Sequence, residues 1–153
     1  MSYTDLLKKK AILLDVDAGD GDRILEVLAD GLCNLDPELV PRRGELLDAL
    51  RERETLGSTA AHMVAIPHVK LPGVKKVSIV VAVHQAGVDF RALDGELVHV
   101  FFSVVRPEES ADEHLAILRW IADIAQHQDF VPFARQATEP SHIIDLLAEF
   151  SPA

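Results

Sequence analysis

The chain has 153 residues, 48% hydrophobic, 26% charged and 5% aromatic, with a formal net charge of −10. That length and balance predict one globular domain over residues 1–153 with an aliphatic core. The acidic charge disfavours nucleic-acid binding and membrane insertion, since phosphate backbones and anionic headgroups would be repelled. It suits solubility and, at most, a basic protein partner.

Tyr3 to Lys9 reads as a short helix and Ile12 to Val16 as a brief extended stretch. The apolar run Ala11 to Leu14 is far too short for a signal peptide or a membrane span. Asp20-Gly21-Asp22 offers capping groups. Ile24, Leu25, Val27, Leu28 and Leu32 then recur at helical spacing. The same helix carries the lone Cys33, which reads as a small buried apolar group. With no internal disulfide possible, a reducing cytoplasm is the expected setting. A second helix is predicted after Pro41, with Leu46, Leu47 and Leu50 on its apolar face and Arg51, Arg53 and Glu54 at its end.

The middle of the chain changes character. Met63 to Ile66 is a short apolar run halted by Pro67. Val77 to Val83 and Leu97 to Val105 are rich in β-branched residues and read as buried strands. Asp89 to Gly95 is a turn-rich link between them, and Lys75-Lys76 reads as solvated turn charge. Near-continuous apolar strands imply a sheet covered on both faces. After Arg106-Pro107, Ser110 and Glu113 have the spacing of a capping box. The helix that follows has Leu115, Leu118, Trp120, Ile121 and Ile124 as its apolar set. Phe130 to Ala137 and a last helix from Pro140 complete the chain. The expected fold is α/β: a single mixed β-sheet flanked by helices on both faces.

The chain has seven histidines, yet none shows the paired helical spacing of a metalloprotease, and no paired-cysteine site exists. No metal is expected. His99 reads as a half-buried strand residue, His84 as a strand end, and His127 and His142 as solvent-facing. Asp15 to Asp20 departs from a calcium loop at the third ligand and at the required glycine, so it reads as a helix-capping turn. Phosphate-cradling glycine loops and the Gly-x-Ser-x-Gly elbow are absent.

One segment stands out. Arg53-Glu54-Thr55-Leu56-Gly57-Ser58-Thr59 leads into Val64-Ala65-Ile66-Pro67-His68. It resembles the active-site signature of the enzyme IIA domains of the sugar phosphotransferase system, fructose and mannitol class, including their nitrogen-regulatory relatives. The resemblance continues through Asp89-Phe90, Leu93-Asp94-Gly95 and Glu113-His114-Leu115, and covers nearly the whole chain. It implies that His68 accepts the phosphoryl group and that Arg53 and His114 complete the catalytic set. Ser58 and Thr59 either contact the phosphate or shape the loop. The implied donor is an HPr-like phosphohistidine protein, and the implied recipient an enzyme IIB partner or a regulatory protein target. No cofactor is needed, because the donor already carries the phosphate. The family's Gly-x-Gly element is replaced here by Ala60-Ala61-His62-Met63, one residue shorter, and Val69 stands where glycine commonly follows the histidine. Altered loop geometry is therefore expected, and a fold-retaining, transfer-inactive domain is a third reading. His62 reads as an exposed loop residue.

Those residue types suit phosphoryl relay. Neutral imidazole is a nucleophile near pH 7, and the N–P bond it forms is labile. Pro67 restricts Ile66 to extended backbone, which holds His68 at a fixed strand edge. Arg53 offers permanent charge and a planar fork to the equatorial oxygens. A helix start near Ala111 to His114 adds free N–H groups and a favourable dipole. Each residue also has a plain alternative: a strand-end histidine, a helix-end cation, a first-turn surface residue.

Overall fold

The computed structural model describes residues 7–109 and 111–152. Most of the predicted Tyr3–Lys9 helix, and the capping residue Ser110, lie outside the described residues; Lys9–Ala11 forms a 3-10 turn. In chain order the elements are β1 (Ile12–Leu13), α1 (Gly21–Leu35), α2 (Arg43–Thr55), β2 (Val64–Ala65), β3 (His68–Lys70), β4 (Ser78–Val88), β5 (Val98–Arg106), α3 (Ala111–Ala125), α4 (Phe130–Arg135) and α5 (Pro140–Phe150).

Local chemistry accounts for the helix starts. Asp20 is extended and its Oδ1 accepts from the Arg23 N–H at 2.9 Å, capping α1. Pro41 falls inside a 3-10 segment, Pro37–Arg42, that runs directly into α2. Pro140 occupies the first turn of α5, where its missing N–H costs nothing.

The sheet is single and mixed. β1 lies parallel to β4, β4 pairs antiparallel with β5, and β2 and β3 both lie parallel to β5. Strict alternation divides β4 and β5 between two cores. Val80, Ala82, Phe101 and Val105 pack with Ile24, Leu28, Leu46 and Leu50 of α1 and α2. Ile79, Val81, Phe102 and Val104 pack with Ile117, Ile121, Phe130 and Ile143 of α3 to α5. The expected two-sided sheet is therefore present.

β2 and β3 are two pieces of one edge. Val64 stands opposite Val100 and His68 opposite Val104, so the register carries across the break at Ile66-Pro67. Pro67 has no N–H to give, yet its carbonyl still accepts from Val104 at 3.0 Å. His68 thus opens a short strand at the rim of the sheet, where α2 and α3 can both reach it.

The predicted Gly-x-Gly difference has a definite structure. Ala61 and Val64 exchange backbone hydrogen bonds of 2.9 and 3.0 Å around His62 and Met63. Both central residues are left-handed, with φ of 56° and 66°. This is the backbone of a type I′ hairpin turn, made without glycine. The His62 N–H is held by Asp94 at 2.9 Å. The turn closes the far end of the edge strand, roughly 15–20 Å from His68 at strand rise. Val69, within β3, is not left-handed, so nothing there demands glycine.

Candidate functional site

His68 is half-buried, and its Nδ1 lies 2.6 Å from the carbonyl of Ile66. A carbonyl only accepts, so Nδ1 carries the proton and Nε2 keeps its lone pair. Burial, with smaller contributions from the positive charges of Arg53 and Arg106, lowers its pKa, while the bond to Ile66 opposes that shift. A ring so placed is neutral near pH 7, with its nucleophilic nitrogen available.

The ring faces an open cleft of about 440 Å³. Arg53 of α2, Lys70 of β3, Arg106 of β5 and His114 of α3 line it beside His68, with Glu52 the carboxylate among the lining residues. On a chain with net charge −10 this is a local concentration of cations. Such a concavity focuses field on an anion.

His114 sits in the first turn of α3, 8% exposed, and its ring centroid lies 5.5 Å from that of His68 at 47°. Burial, then the charge of Arg106 and the neighbouring His68, pushes its pKa down to about 4. It is therefore a neutral donor-acceptor, not a cation. Its Nδ1 is buried without a partner among the described residues. An unpaired acceptor costs less than an unpaired donor when the proton can move to the other nitrogen. That places the proton on Nε2, as a neutral hydrogen-bond donor.

Arg53 donates from Nη1 to the Gly57 carbonyl at 3.0 Å, which steadies the guanidinium at the C-terminus of α2. The next residue, Glu54, receives the Thr59 hydroxyl at 2.6 Å and the Thr59 N–H at 3.3 Å. Burial raises the Glu54 pKa, against these bonds. Thr59 Oγ1 in turn accepts from the Ile66 N–H at 3.2 Å. Glu54, Thr59 and Ile66 therefore form a strut from α2 to the carbonyl that orients His68. Ser58 donates to the Phe90 carbonyl at 3.4 Å and accepts from the Ala60 N–H at 3.0 Å. Both hydroxyls are engaged in shaping the loop, and neither residue lines the cleft.

The structure brings His68, His114 and Arg53 together and adds Lys70 and Arg106, which sequence reasoning did not single out. Their signal was faint: Lys70 lies two residues beyond His68, hence on the same strand face, and Arg106 is its register partner. Leu115, expected in the apolar face of α3, is 50% exposed. The remaining histidines follow environment. His62, His127 and His142 are exposed, whereas His84 and His99 are both buried, and His84 lies inside β4. Among the described residues no group of His, Cys, Asp or Glu is arranged to hold a metal ion. No helix among them is long and apolar enough to cross a membrane.

The profile described as "Phosphoenolpyruvate-dependent sugar phosphotransferase system, EIIA 2" matches residues 5–150. The chain belongs to this EIIA family. It is 32% identical over 149 residues to a nitrogen regulatory protein of Bradyrhizobium diazoefficiens, spanning 97% of this chain and 95% of the relative. Its fold matches that of the nitrogen regulatory protein IIA-Ntr from Neisseria meningitidis with a TM-score of 0.84, at 27% identity, covering 94% of this chain and 97% of that one. The IIA mannitol protein of Escherichia coli, in complex with phosphorylated enzyme IIB, matches with a TM-score of 0.74 at 17% identity, covering 94% and 97% of the two chains. At that identity the likeness is one of fold. Nitrogen regulatory proteins are thus among the relatives of this EIIA domain.

Proposed function

We propose that this EIIA domain carries a phosphoryl group on His68. The observation that carries the reading is a neutral imidazole with Nδ1 anchored on a carbonyl and Nε2 bare, beside Arg53 and His114 at one cleft. The Nε2 lone pair attacks phosphorus of a phosphohistidine donor resembling HPr. The donor's N–P bond breaks, and its electron pair returns to the donor imidazole. The Nδ1 proton stays on His68, and the positive charge that develops on the ring is met by the Ile66 carbonyl. Arg53 and the Nε2–H of His114 meet the oxygens in the in-line transition state. Thr59 acts through Ile66, and Ser58 shapes the loop. An enzyme IIB-type protein takes the group onward by the reverse of the same step, in sugar uptake.

A second reading is favoured by the end-to-end match to nitrogen regulatory proteins. There the phosphate serves as a switch, since about two negative charges placed in a cationic cleft change which protein docks over it. A third reading, a transfer-inactive domain, loses ground because the glycine-free turn lies at the opposite end of the edge strand.

Incubation with a phosphorylated HPr-like donor tests the first reading. The wild type is expected to gain one acid-labile phosphate, seen by intact mass, and His68→Ala none. Absence of transfer to the wild type would refute it. Pull-down with phosphorylated and unmodified protein tests the switch, and identical partner sets would remove it.

A further inference from the structure

Arg106, like Lys70, is a cation of the cleft with no place in the enzyme IIA signature. It ends β5 on the sheet face turned toward α3, opposite Lys70 in the register. Its Nη1 donates to the carbonyls of Pro107 at 2.8 Å, Glu108 at 3.0 Å and Glu109 at 3.4 Å. The chain leaving β5 therefore wraps around one nitrogen of the guanidinium. If bracing that turn were the whole role, the other N–H groups would be satisfied or solvated. Instead Nε is buried with no acceptor among the described residues, and the half-buried side chain lines the cleft beside His68. An unpaired buried donor, and a charged one above all, is costly and persists where a partner arrives in another state of the molecule.

We propose that Arg106 is a second phosphate-holding cation of this site, gripping the phosphoryl group on His68 from the β5 side while Arg53 holds it from α2. The arrangement is a two-sided clamp. An arginine fork suits it, because two parallel N–H groups fix the oxygens as well as neutralise them. The Pro107–Glu109 carbonyls keep the side chain in place, so little ordering is needed when phosphate arrives. The same fastening joins the occupied site to the turn that leads into α3. The inference rests on His68 being the phosphoryl acceptor.

The test uses the full chain and phosphoramidate, a chemical donor that needs no partner protein. Wild type, R106Q and R106K are phosphorylated in parallel, and 31P NMR follows the appearance and the chemical shift of the phosphohistidine. R106Q is expected to accept phosphate about tenfold more slowly, the loss of one charge-assisted hydrogen bond, with a displaced 31P resonance. R106K keeps the charge without the fork and is expected to fall between. The imidazole resonances of His68 and His114 should titrate at higher pH in R106Q, a response that a remote brace would not give. Wild-type rate and 31P shift in R106Q would overturn the clamp. So would an R106K no faster than R106Q. A thermal melt of each variant separates slow transfer from failure to fold. Absence of phosphate on His68 in the wild type would instead overturn the parent reading, and the clamp with it.

Discussion

Two pairs of histidines sit in this domain, and they differ in how far hydrogen bonds engage their rings. His84 and His99 are buried on the neighbouring strands β4 and β5, at the irregularity between Val83 and Val88. The Nε2–H of His84 donates to the Ala18 carbonyl at 2.9 Å, and its Nδ1 accepts from the Gly87 N–H at 3.0 Å. The Nδ1–H of His99 is shared between the carbonyls of His84 and Gln85, each at 3.1 Å. These rings stitch a bulge closed. At His68 and His114 the hydrogen bonding is incomplete: one ring keeps a bare Nε2, and the other has an unpaired Nδ1. Chemistry is available where backbone groups have not already claimed the ring.

The sharpest break between the pairs is substitution of the acceptor. His68→Asn is expected to abolish phosphoryl acceptance, read by intact mass, while leaving the denaturant midpoint within about 1 kcal/mol of wild type, as befits a half-buried rim residue. At the other pair the expectation reverses. Gly87 has φ of 86°, and a Cβ there would lie 2.7 Å from His99 Cε1 and 2.9 Å from Leu97 Cβ. Gly87→Ala should cost about 3 kcal/mol in urea unfolding, from left-handed strain plus overpacking, with phosphoryl acceptance of the folded fraction unchanged. A transfer defect there would mean that the pairs are coupled.

Acid acts on the cleft pair on a similar scale. The folded pKa of His114, about 4, lies below the unfolded value near 6.5. Between those values the unfolded chain binds the extra proton. Stability is thus complete above about pH 6.5, falls as pH drops through that window, and stops falling from this group below about pH 4. The loss is on the order of 3 kcal/mol, and His68 adds to it in the same direction. Urea melts from pH 7 to 4 should show the fall in wild type, and a shallower one in His114→Asn. An unchanged slope would show that His114 titrates normally.

The smallest effect has the opposite sign. His62 and Met63 hold left-handed backbone without glycine, and Met63 is 37% exposed. Met63→Gly should raise stability by about 1 kcal/mol through relief of that strain, with transfer unaltered, since the turn lies at the far end of the edge strand from His68.

What the amino-acid order settled alone is the part carried by neighbours in the chain. Near-continuous β-branched runs in Val77–Val83 and Leu97–Val105 implied two strands buried on both faces, and Asp20-Gly21-Asp22 marked the start of α1. The ordered motif Arg53, Pro67-His68 and His114 pointed to one site. Each depends on near neighbours, or on a pattern of residues that sequence displays directly. Only the tertiary structure decided the rest. The identity of the cleft's other cations follows from β3–β5 register, which sets Lys70 against Arg106. The neutral state of His114 follows from how α3 docks over the sheet. Thr59 became a strut because Glu54 and the Ile66 N–H reach it from separate elements. Burial and field are sums over everything packed around a group, so no local window of sequence contains them.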